Sequence, residues 1–424
     1  IAAGAPTVRP EPESLPRGFV ITEEEKHFWS FLPIARPEVP AGTGSENPID
    51  AFIQRKLREQ ARALDFAPEA DRLVLLRRVY LDLLGLPPSP EEAAEFLADE
   101  HGDAYERMVD RALDSPRYGE RWGRHWLDVA GYSDSNGYAE ADSVRPFAWH
   151  YRDYVIRSFN ADKPWDRFLT EQLAGDELAS ATHETAAEKI VDPATRELLS
   201  ATGFLRMAPD GTGDGVDDQN LARNQAIAET LNIVSSSLLG LTVGCAQCHD
   251  HRYDPISQAD YYRMRAIFEP GFDWKNWRSP GQRLVSLYTD EDRAKAEVIE
   301  AEARKVDEEV NALRKKLLDE VFEVELTRLP ENLREAARTA RGTPAGERTD
   351  EQRALFKEFP AADVQGALDL YDPERNKQVT AKQGEAAALR AKKPQEPNVM
   401  VFTEKAGALP ATVVFNRGDH DEPR

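Results

Sequence analysis

Apolar positions along this chain recur at intervals of three and four, the spacing that lays one stripe along an α-helix. In "NPIDAFIQRKLREQ", Asn47 is placed to cap, Pro48 takes the first helical position, and Ile49, Phe52, Ile53 and Leu57 share a face. "DRLVLLRRVYLDLLGLPPSP" repeats the pattern and is stopped by Gly85 and two prolines. The same spacing, bounded by Ser, Pro or Gly, runs through "SPEEAAEFLAD", "AYERMVDRALDSP", "YGERWGRHWLDVAGY" and "PWDRFLTEQLAGDEL". A last amphipathic stretch, "QNLARNQAIAETLNIVSSSLLGLTVG", runs straight into "GCAQCHDHRYDP". Strand signals gather only near the end, in "PNVMVFTEKAGALPATVVFNRGD", where apolar and β-branched residues alternate.

The pattern predicts a mainly α fold: a helical domain over 48–285, a long charged helical hairpin over 286–360, and a few C-terminal strands. In the hairpin, Ile299, Ala303, Val306, Val310, Leu313 and Leu317 form a coiled-coil seam, and the stretch 331–358 is expected to fold back on it. Residues 1–47 are rich in proline and read as an extended lead-in. Residues 361–424 read as a linker and the opening of a further domain. The chain starts at Ile1 with neither methionine nor a leader, so it is expected to be a processed or excised piece of something longer.

Charge narrows the partners. A formal net charge of -22 repels nucleic-acid backbones and anionic membranes alike, which leaves no nucleic acid among the expected partners. No apolar run approaches the roughly eighteen residues that span a bilayer.

The chemistry concentrates at "GCAQCHDHRYDP", which holds both cysteines of the chain. Cys245 and Cys248 followed by His249 match the spacing that adds two thiols across the vinyl groups of a porphyrin and leaves an imidazole under the ring as proximal iron ligand. Haem c is therefore the expected cofactor. Zinc, drawing on Cys245, Cys248 and His249 or His251, stays open, although a structural site normally takes a second ligand pair from elsewhere. A redox dithiol also stays open; it would want a βαβ setting with the first cysteine at a helix start. Arg252 is expected at the haem edge, where a cation pairs with propionates. "DSNGYAEAD" places Asp134, Asn136, Glu140 and Asp142 as oxygen ligands for a possible calcium ion, without the terminal glutamate of an EF-hand. Since haem c is attached outside the cytoplasm, the motif argues for a periplasmic or otherwise extracytoplasmic protein.

"NPIDAFI", "ADRLVLLRRVYLDLLGLPPSPEE", "YERMVDRALDSPRYGERWGRHWLDVAGYSDSNGY", "ATGFLR" and "GLTVGCAQCHDHRYDPISQADYYRMRAIFE" together resemble the planctomycete cytochrome-associated family called domain of unknown function 1549, or PSCyt2, over roughly 48–270. The resemblance implies a cytochrome c domain before this one and a PSD1 domain, domain of unknown function 1553, whose start is expected in "ALPATVVFNRGDHDEPR". It also implies exported redox work, with polysaccharide as a substrate class. His125, in the family segment "RWGRHWLDVA", is the expected distal iron ligand, with Met207, Met264 and His150 as outsiders. The leading functional expectation is a single-haem c-type cytochrome module in electron transfer or redox chemistry, with an attached cytochrome or PSD1-like domain as electron partner. The alternatives are a haem enzyme with an open distal side, acting on peroxide or carbohydrate, and a zinc-supported binding scaffold.

Overall fold

The computed structural model describes residues 20–42, 47–60, 64–137, 142–181, 184–186, 192–213, 217–364, 368–407 and 410–424. Helix accounts for 63% of it and strand for 4%, so the chain is mainly α. Local chemistry explains where the helices start. Asn47 Oδ1 accepts from the Ile49 amide ahead of the helix Pro48–Arg58. Ser89 with Glu92, Ser257 with Asp260 and Thr289 with Asp292 form reciprocal capping boxes. Pro48, Pro90, Pro116 and Pro193 each stand in the first turn, where a missing N–H costs nothing.

The chain forms two compact units: residues up to Val285 together with Asn398–Arg424, and Ser286–Pro397. In the first unit the helix Pro116–Ala130 crosses Trp149–Asn160 at Gly119, where a Cβ would lie 2.3 Å from the Ile156 carbonyl oxygen. Only glycine permits that approach. The core around this crossing holds Trp126, Tyr151, Tyr154, Phe168, Phe204 and Leu231. Polar atoms at the crossing are paired: Trp126 Nε1 donates to Tyr151 Oη and Gln172 Oε1, and Tyr154 Oη donates to Glu171. A smaller cluster of Leu76, Tyr80, Phe96, Ala104 and Met108 joins the helices Arg72–Leu83, Pro90–Ala98 and Ala104–Leu113.

Residues 398–424, where the opening of a further domain is expected, cluster with the first unit: Phe402 and Phe415 join the main core and Val399 and Val401 are buried. The strand Asn398–Met400 pairs with Leu284–Ser286, and Phe415–Asn416 pairs antiparallel with Asp419–Pro423. Burial of those four apolar side chains, at about 1.5–3 kcal/mol each, is the physical reason.

The second unit contains a 38-residue helix, Asp290–Thr327, whose seam is buried at Ala303, Val310 and Leu317. Its long antiparallel partner is Pro373–Arg390, not the 331–358 stretch. Ion pairs set the register: Glu300 with Arg390, Glu309 with Lys382 and Glu320 with Arg375. The 331–358 stretch is split instead into Arg334–Gly342 and Asp350–Glu358, with Pro344 between them and Thr349 capping the second. Among the described residues no helix is long and apolar enough to cross a membrane.

Asp176, buried in the first unit and close to Glu177, has its carboxyl pushed up to about 8 by burial and by that neighbour. The folded chain therefore keeps a proton that the unfolded chain releases near pH 4, and stability falls as pH rises from about 4 to 8. Asp176→Asn is expected to flatten this dependence while keeping an acceptor for the Glu404 amide; an equal loss of unfolding free energy between pH 5 and pH 8 in both proteins, read from urea midpoints, would refute it.

Candidate functional site

The helix Gln219–Val234 continues into a π-turn at Ser235–Leu239, ends on Gly240, and is followed by a 3₁₀ turn at Gly244–Gln247. The cysteine motif thus begins just past a helix end. In a 3₁₀ turn, side chains three apart eclipse, which sets Cys245 and Cys248 along one edge. Both are exposed, free thiols, while Ala246 and Val243 are buried and root the turn in the core.

Hydrogen bonds hold this turn from both sides. Tyr262 Oη and Gln258 Nε2 each donate to the Gln247 carbonyl, at 3.2 and 3.0 Å, and Gln258 Nε2 also donates to the Phe415 carbonyl. The Gln258 amide donates to Asp250 Oδ1 at 2.8 Å. His249 is exposed beside the cysteines, with Nδ1 2.7 Å from the Asp250 carbonyl oxygen. A carbonyl only accepts, so Nδ1 carries a proton, and in the neutral ring the lone pair is on Nε2.

The residues fit a covalently attached haem: two accessible thiols on one edge, and an imidazole whose orientation is set by a backbone carbonyl. They do not gather as a zinc site. Among the described residues no three His, Cys, Asp or Glu side chains form a metal-binding group. His251 serves its own loop, its Nδ1 accepting from the Asp254 amide at 2.9 Å while its amide donates to the Ile256 carbonyl. Arg252 is exposed at the same loop, its guanidinium 6.0 Å from the Tyr253 ring.

Other expected site residues lie elsewhere. His125 is exposed on the helix Pro116–Ala130, its ring edge-on to Trp122. The buried stripe of that helix is Gly119, Gly123, Trp126, Leu127 and Ala130, so His125 falls off it. Met207 is sealed in the core and Met264 packs partly against it. His150 is buried and stacked on Trp149 at 3.7 Å; burial, with Arg196, holds its imidazole down to about 4. Of the residues expected for calcium, Asn136 Oδ1 accepts from Arg145 Nε, Asp134 Oδ1 from Tyr132 Oη, and Asp142 Oδ1 from the Gly137 amide. Glu140 lies outside the described residues.

The strands of the C-terminal hairpin were expected; its place beside the cysteine turn is what sequence reasoning missed. Its turn, Arg417–Gly418, has φ of 52° and 78°, the type I′ geometry that matches strand twist. A Cβ on Gly418 would stand 2.7 Å from Cys248 Sγ, so this glycine leaves the thiol its room. "NRGD" after the apolar run "ATVVF" carried the turn signal; nothing local said where the turn would dock. Gly418→Ala is expected to cost about 1–2 kcal/mol from the left-handed backbone and to slow alkylation of Cys248 relative to Cys245 in haem-free protein. Equal alkylation rates in variant and parent would refute that crowding.

No curated protein and no solved structure matches the chain. The family model described as "PSCyt2: Protein of unknown function (DUF1549)" matches residues 48–271, more than half of the chain and the whole of the cysteine turn, and the protein belongs to that family.

Proposed function

We propose that the chain is an exported c-type cytochrome module, carrying one haem on Cys245 and Cys248 and acting in electron transfer or redox chemistry for attached or partner domains. One observation carries the reading: both thiols and the His249 imidazole are exposed on a single short turn, with Nδ1 tied to the Asp250 carbonyl. The haem, when bound, supplies a one-electron iron couple. The chain supplies the rest. Cys245 and Cys248 anchor the porphyrin edge, and His249 presents Nε2 in a fixed tautomer. Gln258 and Tyr262 keep the turn from swinging by holding the Gln247 carbonyl. Arg252, exposed on the following loop, is the cation that would pair with a propionate.

Thioether attachment takes place outside the cytoplasm, so the reading includes a periplasmic or otherwise extracytoplasmic location. The family resemblance adds a PSD1-like or cytochrome domain as electron partner and polysaccharide breakdown as the setting. The test is the absorption spectrum of protein purified from a host that matures c-type cytochromes, oxidised and dithionite-reduced. A Soret band and reduced α/β bands that survive acid–acetone extraction support the proposal; a spectrum with protein absorption alone ends it.

A further inference from the structure

A second site lies in the first unit, in a cavity of about 390 Å³ whose lining includes Arg145, Arg206 and Arg283. Each of the three is more than nine-tenths buried, in a chain with a net charge of -22. Buried cations are normally paired with carboxylates or neutralised. Here only Arg283 has such a partner, Nη1 meeting Asp210. Asp210 is further committed to Thr212, whose amide and hydroxyl both donate to it.

Arg145 spends its donors on neutral acceptors: Asn136 Oδ1 and the carbonyls of Met207 and Ala208. Arg206 lies over the rings of Phe272 and Phe402, at 5.1 and 4.6 Å, and its Nε is 3.5 Å from the Val401 carbonyl. Among the described residues no carboxylate bonds to Arg145 or Arg206. Among the described residues Arg283 Nη2 is buried without a hydrogen-bond partner. An unpartnered buried guanidinium nitrogen is unfavourable, because no bond makes up for the water it has lost. Burial, with Arg283 and Arg278 nearby, also pushes the Arg206 guanidinium well below its usual range.

We propose that this cavity binds a small organic oxyanion, held by the guanidinium groups of Arg206 and Arg283. Those groups offer planar forks matched to carboxylate, sulfate or phosphate. The volume is that of a small-ligand pocket, and Phe147, Pro280, Leu284 and Met400 give it an apolar wall suited to a carbon skeleton of about one sugar ring. The site stands apart from the cysteine turn in its residues and does not depend on haem.

Isothermal titration of the purified full chain with glucuronate, glucose, sulfate and phosphate at fixed ionic strength tests it. Glucuronate is expected to bind at least about tenfold more tightly than glucose. Arg206→Lys, which keeps the charge and loses the fork, is expected to weaken glucuronate about tenfold. Val144→Trp puts bulk on a 73% exposed lining residue, leaves the buried arginines untouched, and is expected to weaken glucuronate as well. Sulfate or phosphate matching glucuronate supports the same oxyanion site with an inorganic source; glucuronate alone supports an organic acid. No binding of any anion, or glucuronate binding unchanged in the Val144→Trp protein, overturns the proposal.

Discussion

Cys245→Ser/Cys248→Ser, made in cells that mature c-type cytochromes, is expected to have the bare polypeptide mass, whereas the parent chain gains the mass of one haem. The effect is all or none because each thioether takes one cysteine sulfur onto one vinyl group, and the variant removes the only two cysteines in 424 residues. Loss of haem should not be confused with loss of fold. Both thiols are exposed and bond to nothing in the core, so the serine replacements themselves stay within about 0.5 kcal/mol of the haem-free parent. His249→Ala separates attachment from ligation: the added mass remains and the absorption of the iron changes. A parent protein of bare mass from a competent host would sink both the attachment and the function built on it.

Glu269→Ala is expected to destabilise the first unit by about 3–5 kcal/mol, read as a lower urea midpoint at unchanged slope. Arg265 and Glu269 are fully buried on the helix Gln258–Phe272, with Arg265 Nε 3.3 Å from Glu269 Oε2. Arg265 Nη2 also donates to Asn224 Oδ1 at 2.7 Å, and Glu269 accepts from the Thr412 hydroxyl at 2.5 Å. The pair therefore fastens the helix behind the cysteine turn to the C-terminal segment. Removing the carboxylate leaves a guanidinium buried against Phe415 with no countercharge. Glu269→Gln keeps the acceptor and should cost less than Glu269→Ala; a loss under about 1 kcal/mol for the alanine variant would show that water or a shifted partner replaces the carboxylate.

Much of the helical framework was legible, and for local reasons. Asn47, Ser89 and Thr289 announce helix starts because a side-chain oxygen in that position satisfies amides that nothing else reaches. The seam from Ala303 to Leu317 is buried as its spacing requires. The return arm was legible in part: Arg334–Gly342 folds back on the end of the long helix, Arg338 meeting Glu323 and Arg341 meeting Asp319, but the extended partner is Pro373–Arg390. The "RGTPAG" break at 341–346 prevents one long helix there, and the acidic positions Glu300, Glu309 and Glu320 find their cations on Pro373–Arg390 instead. The orientation of His125 was in principle legible, since position 125 falls outside the 119, 123, 126, 127, 130 stripe.

The sequence by itself determined the mainly α character, the helix boundaries set by caps and prolines, and the pairing of two thiols with an imidazole within five residues. Each of these depends on neighbours along the chain. Only the tertiary structure decided that the C-terminal hairpin sits against Cys248, that Gln258 and Tyr262 brace the turn, and that arginines from positions 145, 206 and 283 share one cavity. Those contacts join residues about 60 to 170 positions apart in several cases, and such long-range meetings follow from which apolar faces bury together rather than from any local pattern.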